Sequence, residues 1–296
     1  MSFQLAVAEE DFPAGVTDAE LFRFFVSFAI LAPSGHNAQP WLFKIRERNL
    51  DLLADRTRAL PVVDPHNREL IISCGAALEH LLVAAHRFGR QLAIDELPGS
   101  DPDFLATVRF AGDVTPSAND LAMFQAIPNR RTTRTKYDDR VLTVELRDAC
   151  RELAAERGAE LTTIEDETRR AEIADLVVEG DRILFGDPRF RRELAAWVHS
   201  RKKIVDASPV LAVLSTESDA SGDWLATGRA LSRVLLKLTA SGATAAFLNQ
   251  PIDVEQLRPR FRDAIGATTV PQLLMRFGYG EAAKQSVRRP IKDVLI

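Results

Sequence analysis

The sequence predicts an α+β fold made of two related halves, on three observations. Helix-like and strand-like stretches alternate through all 296 residues. The same order of elements runs twice, over about residues 1–115 and 116–296. The stretch GAALEHLLVAAHRFG at 75–89 also lies on GRALSRVLLKLTASG at 228–242 without a gap, with Gly, Ala, Leu, Leu and Gly coincident. Two unrelated amphipathic helices could give that match alone; the shared order of elements favours an internal duplication.

The elements follow in order. Thr17 with Glu20 three residues on is a capping-box pattern. The LFRFFVSFAILA run behind it is apolar nearly all round, which predicts a deeply buried first helix. Pro33 biases Ala32 away from helical geometry and ends it. Strand-like runs WLFKI (41–45) and LDLLA (50–54) flank a turn at Arg48-Asn49. A second helix is predicted over 69–88, stopping near Gly89, and then a strand TVRFA at 107–111. In the second half Thr143 caps a helix through VELRDACRELAAERG, and LTTIE (161–165) is a strand. A helical stretch over 168–200 is broken at Gly186-Asp187-Pro188. PVLAVLS (209–215) is a strand, 223–240 a helix stopping near Gly242, and QLLMRFGYG (272–280) a strand entering a loop.

Composition narrows the function. Apolar residues at 46% and charged residues at 27% are those of a soluble globular protein. A net charge of −4 and a pI near 5.8 argue against a nucleic-acid partner. The first residues lack the basic start and apolar core of a secretion signal. No run reads as apolar over the roughly 18 residues of a membrane span, so no membrane partner is expected. Cys74 and Cys150, each among apolar helical neighbours, read as buried free thiols in a reducing cytoplasm.

Two stretches carry candidate chemistry. In LAPSGHNAQPWLF (31–43), Pro33 and Pro40 bracket Ser34, Gly35, His36, Asn37 and Gln39. An ordered connection with Asx-type turns is one reading. The other is a reader of a planar heterocycle, because amides both donate and accept, with the prolines fixing the loop and Gly35 allowing close backbone approach. A Ser34–His36 catalytic pair is not expected, since the run lacks a GxSxG elbow. In IPNRRTTRTKY (127–137), Arg130, Arg131 and Arg134 crowd around Thr132 and Thr133. They are either a solvated basic turn or a phosphate site. A second basic pair, Arg288-Arg289, precedes Pro290. No His, Cys or carboxylate cluster has metal-ligand spacing, and no GxGxxG follows a strand, so neither a metal nor a Rossmann nucleotide site is expected.

Together these motifs resemble the FMN-dependent nitroreductase superfamily. APSGHNAQPW is similar to its PSxxNxQPW segment, NRRTTRTKYDDR to its Arg-Arg-Ser-x-Arg segment, and VRRP to its last basic phosphate contact. The order SCGAALEHL, GRALSRVLLKLTASG, LNQP, PQLLMRFGYG, VRRP looks most like the Acg-like branch, with two nitroreductase-like repeats in one chain. The resemblance covers nearly the whole sequence. It implies a nitroreductase-like α+β fold of mainly antiparallel sheets packed by helices, the two repeats (1–115 and 116–296) forming an intramolecular pseudo-dimer. The ring loop (32–41) stands only in the first copy and the arginine segment only in the second, which implies one composite FMN site per chain.

Residue by residue, the resemblance gives Arg130, Arg131 and Thr132 to the arginine segment, with Arg130 and Thr132 at the phosphate. It places Arg134 toward the N1–C2 edge of the flavin. Arg288 aligns with the C-terminal phosphate contact, with Arg289 as the alternative. Ser34, Asn37 and Gln39 fall at the ring's polar edge, and His36 occupies a variable position. Leu248, Asn249 and Gln250 fall where the family runs backbone along flavin N5, although Asn-Gln stands where many members have Glu-Gly. The implied activity is an NAD(P)H oxidoreductase passing hydride through flavin N5 to a nitro-aromatic, quinone or related small acceptor, with no protein catalytic residue. The alternative is a flavin-sequestering protein whose FMN is lidded by residues 184–202. A monomer with an internal pseudo-dimer, or a homodimer of such chains, fits either.

Overall fold

In a computed structural model of the chain, residues 9–13, 17–194, 210–281 and 283–296 are described. Two four-stranded antiparallel sheets form, one in each half. The first holds β1 (Trp41–Ile45), β2 (Asn49–Ala54), β3 (Arg90–Glu96) and β4 (Phe104–Asp113) in the order β1-β2-β4-β3. The second holds β5 (Glu160–Ile164), β6 (Val210–Thr216), β7 (Thr244–Phe247) and β8 (Val270–Gly278) in the order β5-β6-β8-β7. The strand orders are thus the same, counted from each half's start.

The helices are α1 (Asp18–Ala29), α2 (Arg68–Arg87), α3 (Ala118–Ala126), α4 (Val144–Ala155), α5 (Glu167–Gly186), α6 (Pro188–Leu194), α7 (Ser221–Ala240), α8 (Gln250–Asp253) and α9 (Arg258–Ile265). At the start of α1 both bonds of the capping box form between Thr17 and Glu20. Its length is buried apart from the polar positions near its start, and Phe24, Phe25 and Phe28 join Phe12, Phe88, Phe110 and Phe124 in one aromatic cluster. The strands absent from the sequence reading are the weakly patterned ones. β3 is an edge strand whose only buried residue is Leu92, and β7 is the four-residue run TAAF.

α2 and α7 cross at the centre of the molecule. Their matched glycines meet there: a Cβ on Gly75 would stand 3.2 Å from Gly228 Cα, and one on Gly228 would run into the Ile72 carbonyl. Glu79 of α2 is fully buried beside this crossing and pairs with Arg157, Arg229 and Arg233. Burial pushes its carboxyl up, but the three guanidinium groups more than offset this and hold it below the usual range. Contrary to the expectation from sequence, α2 is apolar and long enough to cross a membrane by composition alone. However, 94% of that stretch is buried inside the protein.

The second half lends backbone to the first, and a second backbone bridge forms within the second half. The C-terminal tail lies along β1, with Phe43 N–H donating to Val294 O at 2.7 Å and Ile296 N–H to Phe43 O at 2.9 Å. The segment after α3 runs along β7, with Thr133 N–H donating to Ala245 O at 3.3 Å. The free thiols of Cys74 and Cys150 are buried, as expected.

Candidate functional site

One cavity of about 460 Å³ collects most of the side chains singled out in the sequence. Its size suits a cofactor or small ligand. Ser34, His36 and Asn37 line it from the first half, and Arg130, Arg131, Thr132 and Arg134 from the segment after α3. Leu248, Asn249 and Gln250 line it from the end of β7, and Arg288 from the C-terminal tail. Gln39 and Arg289 are not among the lining residues.

The 33–39 loop is backbone-strained. His36, Asn37 and Gln39 hold φ of 47°, 56° and 55°, a left-handed conformation uncommon for residues with a Cβ. The loop is held by its surroundings. Ser34 Oγ accepts from Gln39 N–H at 3.0 Å, and Gly35 N–H donates to Ser73 Oγ at 3.1 Å. Gly35 does serve a close approach, but to Glu69, whose Oε2 would stand 2.8 Å from a Cβ there.

Gln39, expected at the ligand, and Arg289, the alternative to Arg288, are engaged with backbone and each other beside the cavity. Gln39 Nε2 donates to Asn37 O at 3.1 Å, and its Oε1 accepts from Arg289 N–H at 2.8 Å. Arg289 Nη1 donates to the carbonyls of Gln39 at 2.9 Å and Trp41 at 3.3 Å, and pairs with Asp55 at 3.1 Å. Both side chains are engaged in clamping the loop to the C-terminal tail.

One end of the cavity is cationic. Arg130 is buried, its Nη2 donates to Leu31 O at 3.4 Å, and its Nε has no partner. Arg288 donates to Asn37 Oδ1 at 2.8 Å and Leu31 O at 3.3 Å, and its Nε is also buried without a partner. Arg131 curls back to the carbonyls of Pro128 at 2.8 Å and Arg130 at 2.7 Å. Burial, then the charges of Arg288 and Arg131, push Arg130 down to about 9; burial and Arg131 push Arg288 down to about 10. Among the described residues no carboxylate offsets the two. Buried cations with open donors and no counter-ion are the arrangement an oxyanion completes.

The other walls are fixed differently. Asn249 Nδ2 donates to Glu69 Oε1 at 2.6 Å and its Oδ1 accepts from Leu274 N–H at 3.0 Å, so this amide is locked. Leu248 is buried in the core cluster behind β8. Gln250 Nε2 donates to Asp181 at 3.0 Å. Val63, Leu184, Phe185 and Phe190 form an apolar wall, the two rings meeting edge to face at 5.0 Å. Glu193 accepts from Val62 and Val63 N–H at 3.3 and 3.2 Å, tying α6 to that wall. Of the candidate lid, Leu184, Phe185 and Phe190 thus line the cavity, and 195–202 lie outside the described residues. Glu69, Ser73 and Arg276 also line it and were not singled out; an arginine inside the otherwise apolar QLLMRFGYG was the one signal for Arg276.

No family model matches the chain. Among curated relatives, Rv3131 of Mycobacterium tuberculosis H37Rv, provisionally named an NAD(P)H nitroreductase, is 30% identical over 300 residues, covering 88% of this chain and 86% of its own. Acg of the same organism, provisionally named likewise, is 27% identical over 327 residues, covering 95% and 97%. Among solved structures, a Bacteroides fragilis nitroreductase with bound FMN aligns at 16% identity and a TM-score of 0.43, covering 56% of this chain and 93% of its own.

Proposed function

The chain belongs to the NAD(P)H nitroreductase family, and from that premise we propose that it binds FMN in this cavity and acts as an NAD(P)H oxidoreductase on a small-molecule acceptor. The observation that carries the reading is the cationic end, where Arg130 and Arg288 keep buried, unpartnered Nε–H groups without a carboxylate. Those residues fit a phosphate monoester, and the cavity volume fits the rest of the cofactor. When bound, FMN supplies the two-electron chemistry between nicotinamide and acceptor. The protein binds, orients and tunes. Arg130, Arg288 and Thr132 hold the phosphate, and Arg131 adds a nearby positive charge. His36 and Asn37 present the strained loop to the ring, with Asn37 kept in place by Arg288. Leu248 offers backbone and Asn249 a locked amide at the opposite wall. Arg134, exposed at the cavity, stands ready to stabilise negative charge on the ring's pyrimidine edge.

The duplication is part of the proposal: two nitroreductase-like repeats, 1–115 and 116–296, form a pseudo-dimer with a single composite site. Identical strand orders and the glycine-to-glycine crossing of α2 and α7 support it. A second reading, a flavin-sequestering protein, is favoured by the Phe185–Phe190 wall and the Glu193 tie across one side of the cavity. Stopped-flow mixing of the FMN-loaded chain with NADH or NADPH separates the two. Bleaching of the flavin band within a turnover time supports the oxidoreductase. No bleaching by either nucleotide, with dithionite still effective, overturns it.

A further inference from the structure

Arg276 sits in the middle of β8 and is fully buried, yet it lines the cavity. A guanidinium carries five N–H donors. Its Nη2 donates to Thr133 O at 2.9 Å and Thr135 O at 2.8 Å, the carbonyls on either side of Arg134. One face of the group lies on the Tyr137 ring, 4.1 Å from the centroid, where it gains a cation–π contact. Tyr137 is locked in turn: Gly278 and Gly280 leave room for its ring, and its hydroxyl donates to Arg276 O at 3.4 Å. The remaining donors, Nε and Nη1, are buried and have no partner. Desolvation lowers the Arg276 pKa, as expected for a cation without a carboxylate beside it. A buried guanidinium left with open donors is unfavourable unless something enters to accept from them.

We propose that Arg276 is a further cofactor-binding residue, whose Nε and Nη1 donate to the polar edge of the flavin ring while its Nη2 holds the backbone that aims Arg134. The inference rests on the flavin reading above. The cations fall into two sets. Arg131 lies close enough to lower the proton affinity of Arg130 and Arg288, and the three form the phosphate end. Arg276 is tied to the backbone flanking Arg134, on the ring side. A planar donor edge suits carbonyl and ring-nitrogen acceptors in one plane. Being permanently charged, it also favours the reduced, anionic ring over the oxidised one.

The test compares FMN with riboflavin, which has the same ring and no phosphate. Flavin-free wild-type chain, Arg276→Met, Arg276→Lys and Arg288→Met are titrated with each flavin, and the midpoint potential of bound FMN is measured. Arg276→Met is expected to lose about tenfold affinity for both flavins, and its preference for reduced over oxidised FMN to fall about tenfold, which is about 30 mV for a two-electron couple. Arg288→Met is expected to lose far more affinity for FMN than for riboflavin, which it affects only through Asn37. Should Arg276→Met fail to fold, Arg276→Lys carries the test: it keeps the charge without the planar edge, and is expected to lose riboflavin affinity with an unchanged circular dichroism spectrum. Wild-type affinity and potential in the folded Arg276 variants overturn the inference, as does a loss confined to FMN. A wild-type chain that takes up neither flavin overturns the flavin reading itself, and this inference with it.

Discussion

Replacing Arg130 by methionine should stabilise the flavin-free protein, and bound FMN should erase or reverse that gain. In the flavin-free chain Arg130 is a buried cation with one weak hydrogen bond, to Leu31 O at 3.4 Å, and an unpartnered Nε. Its pKa of about 9 lies more than three powers of ten below that of an ordinary arginine. At about 1.4 kcal/mol per power of ten, the charge destabilises the empty fold by an upper bound of about 4–5 kcal/mol. Methionine keeps most of the stem's volume and loses only the weak bond, worth about 1 kcal/mol. The flavin-free variant should therefore unfold about 1–3 kcal/mol later than wild type, within the range measured when buried ionic groups give way to apolar ones. With FMN at about a hundred times the wild-type Kd, the wild type gains about 2.7 kcal/mol, and the variant gains little because its phosphate contact is gone. Urea unfolding of both proteins, with and without FMN, reads all four values. Equal destabilisation of Arg130→Met in both states would refute the reasoning, because Arg130 would then be an ordinary structural cation.

The same cations make FMN binding sensitive to alkali: phosphate favours their charged forms, so affinity should hold up to about pH 8 and fall as Arg130 and Arg288 lose protons near pH 9 and 10, with riboflavin affinity flat. Fluorescence titration at pH 7 to 10 checks this, and parallel curves for the two flavins would contradict it. Glu79→Gln should cost about 3–5 kcal/mol by leaving buried arginines without their carboxylate. Because the Glu79 pKa is held below its unfolded value, the wild type should lose this stability as pH falls through the folded pKa, and the variant's acid limb should be flatter, as urea midpoints at pH 3 to 7 would report. Gly228→Ala should destabilise by about 3 kcal/mol or more, since its Cβ meets the Ile72 carbonyl and α2 and α7 must separate; a change below 1 kcal/mol in urea unfolding would show that the helices yield.

Local rules written into the chain were the legible ones. The Thr17–Glu20 box, the all-apolar α1 and the Gly186-Pro188 break concern neighbours in sequence, and each appears in the structure. The arginine segment and the Pro-bracketed loop were legible as chemistry because short polar residues crowd into them. Their meeting in one cavity depends on how the halves pack, and only the resemblance suggested it. The misses have physical reasons. β3 is an edge strand with little to bury, and β7 has small residues and one turn's length. The bonds of Gln39 to Arg289 were not legible either, because an amide serves backbone and ligand equally well and the C-terminal tail is distant in sequence. Arg276 was hidden because a strand pattern says which positions are buried, not which buried position needs a partner.

The central claim is one composite flavin site built from loop 33–39, the arginines after α3 and Arg288. Titrating the flavin-free chain with FMN, well above its Kd, tests it most directly. The break in the fluorescence curve is predicted at one FMN per chain. A break at two, or no saturable binding at all, would contradict it.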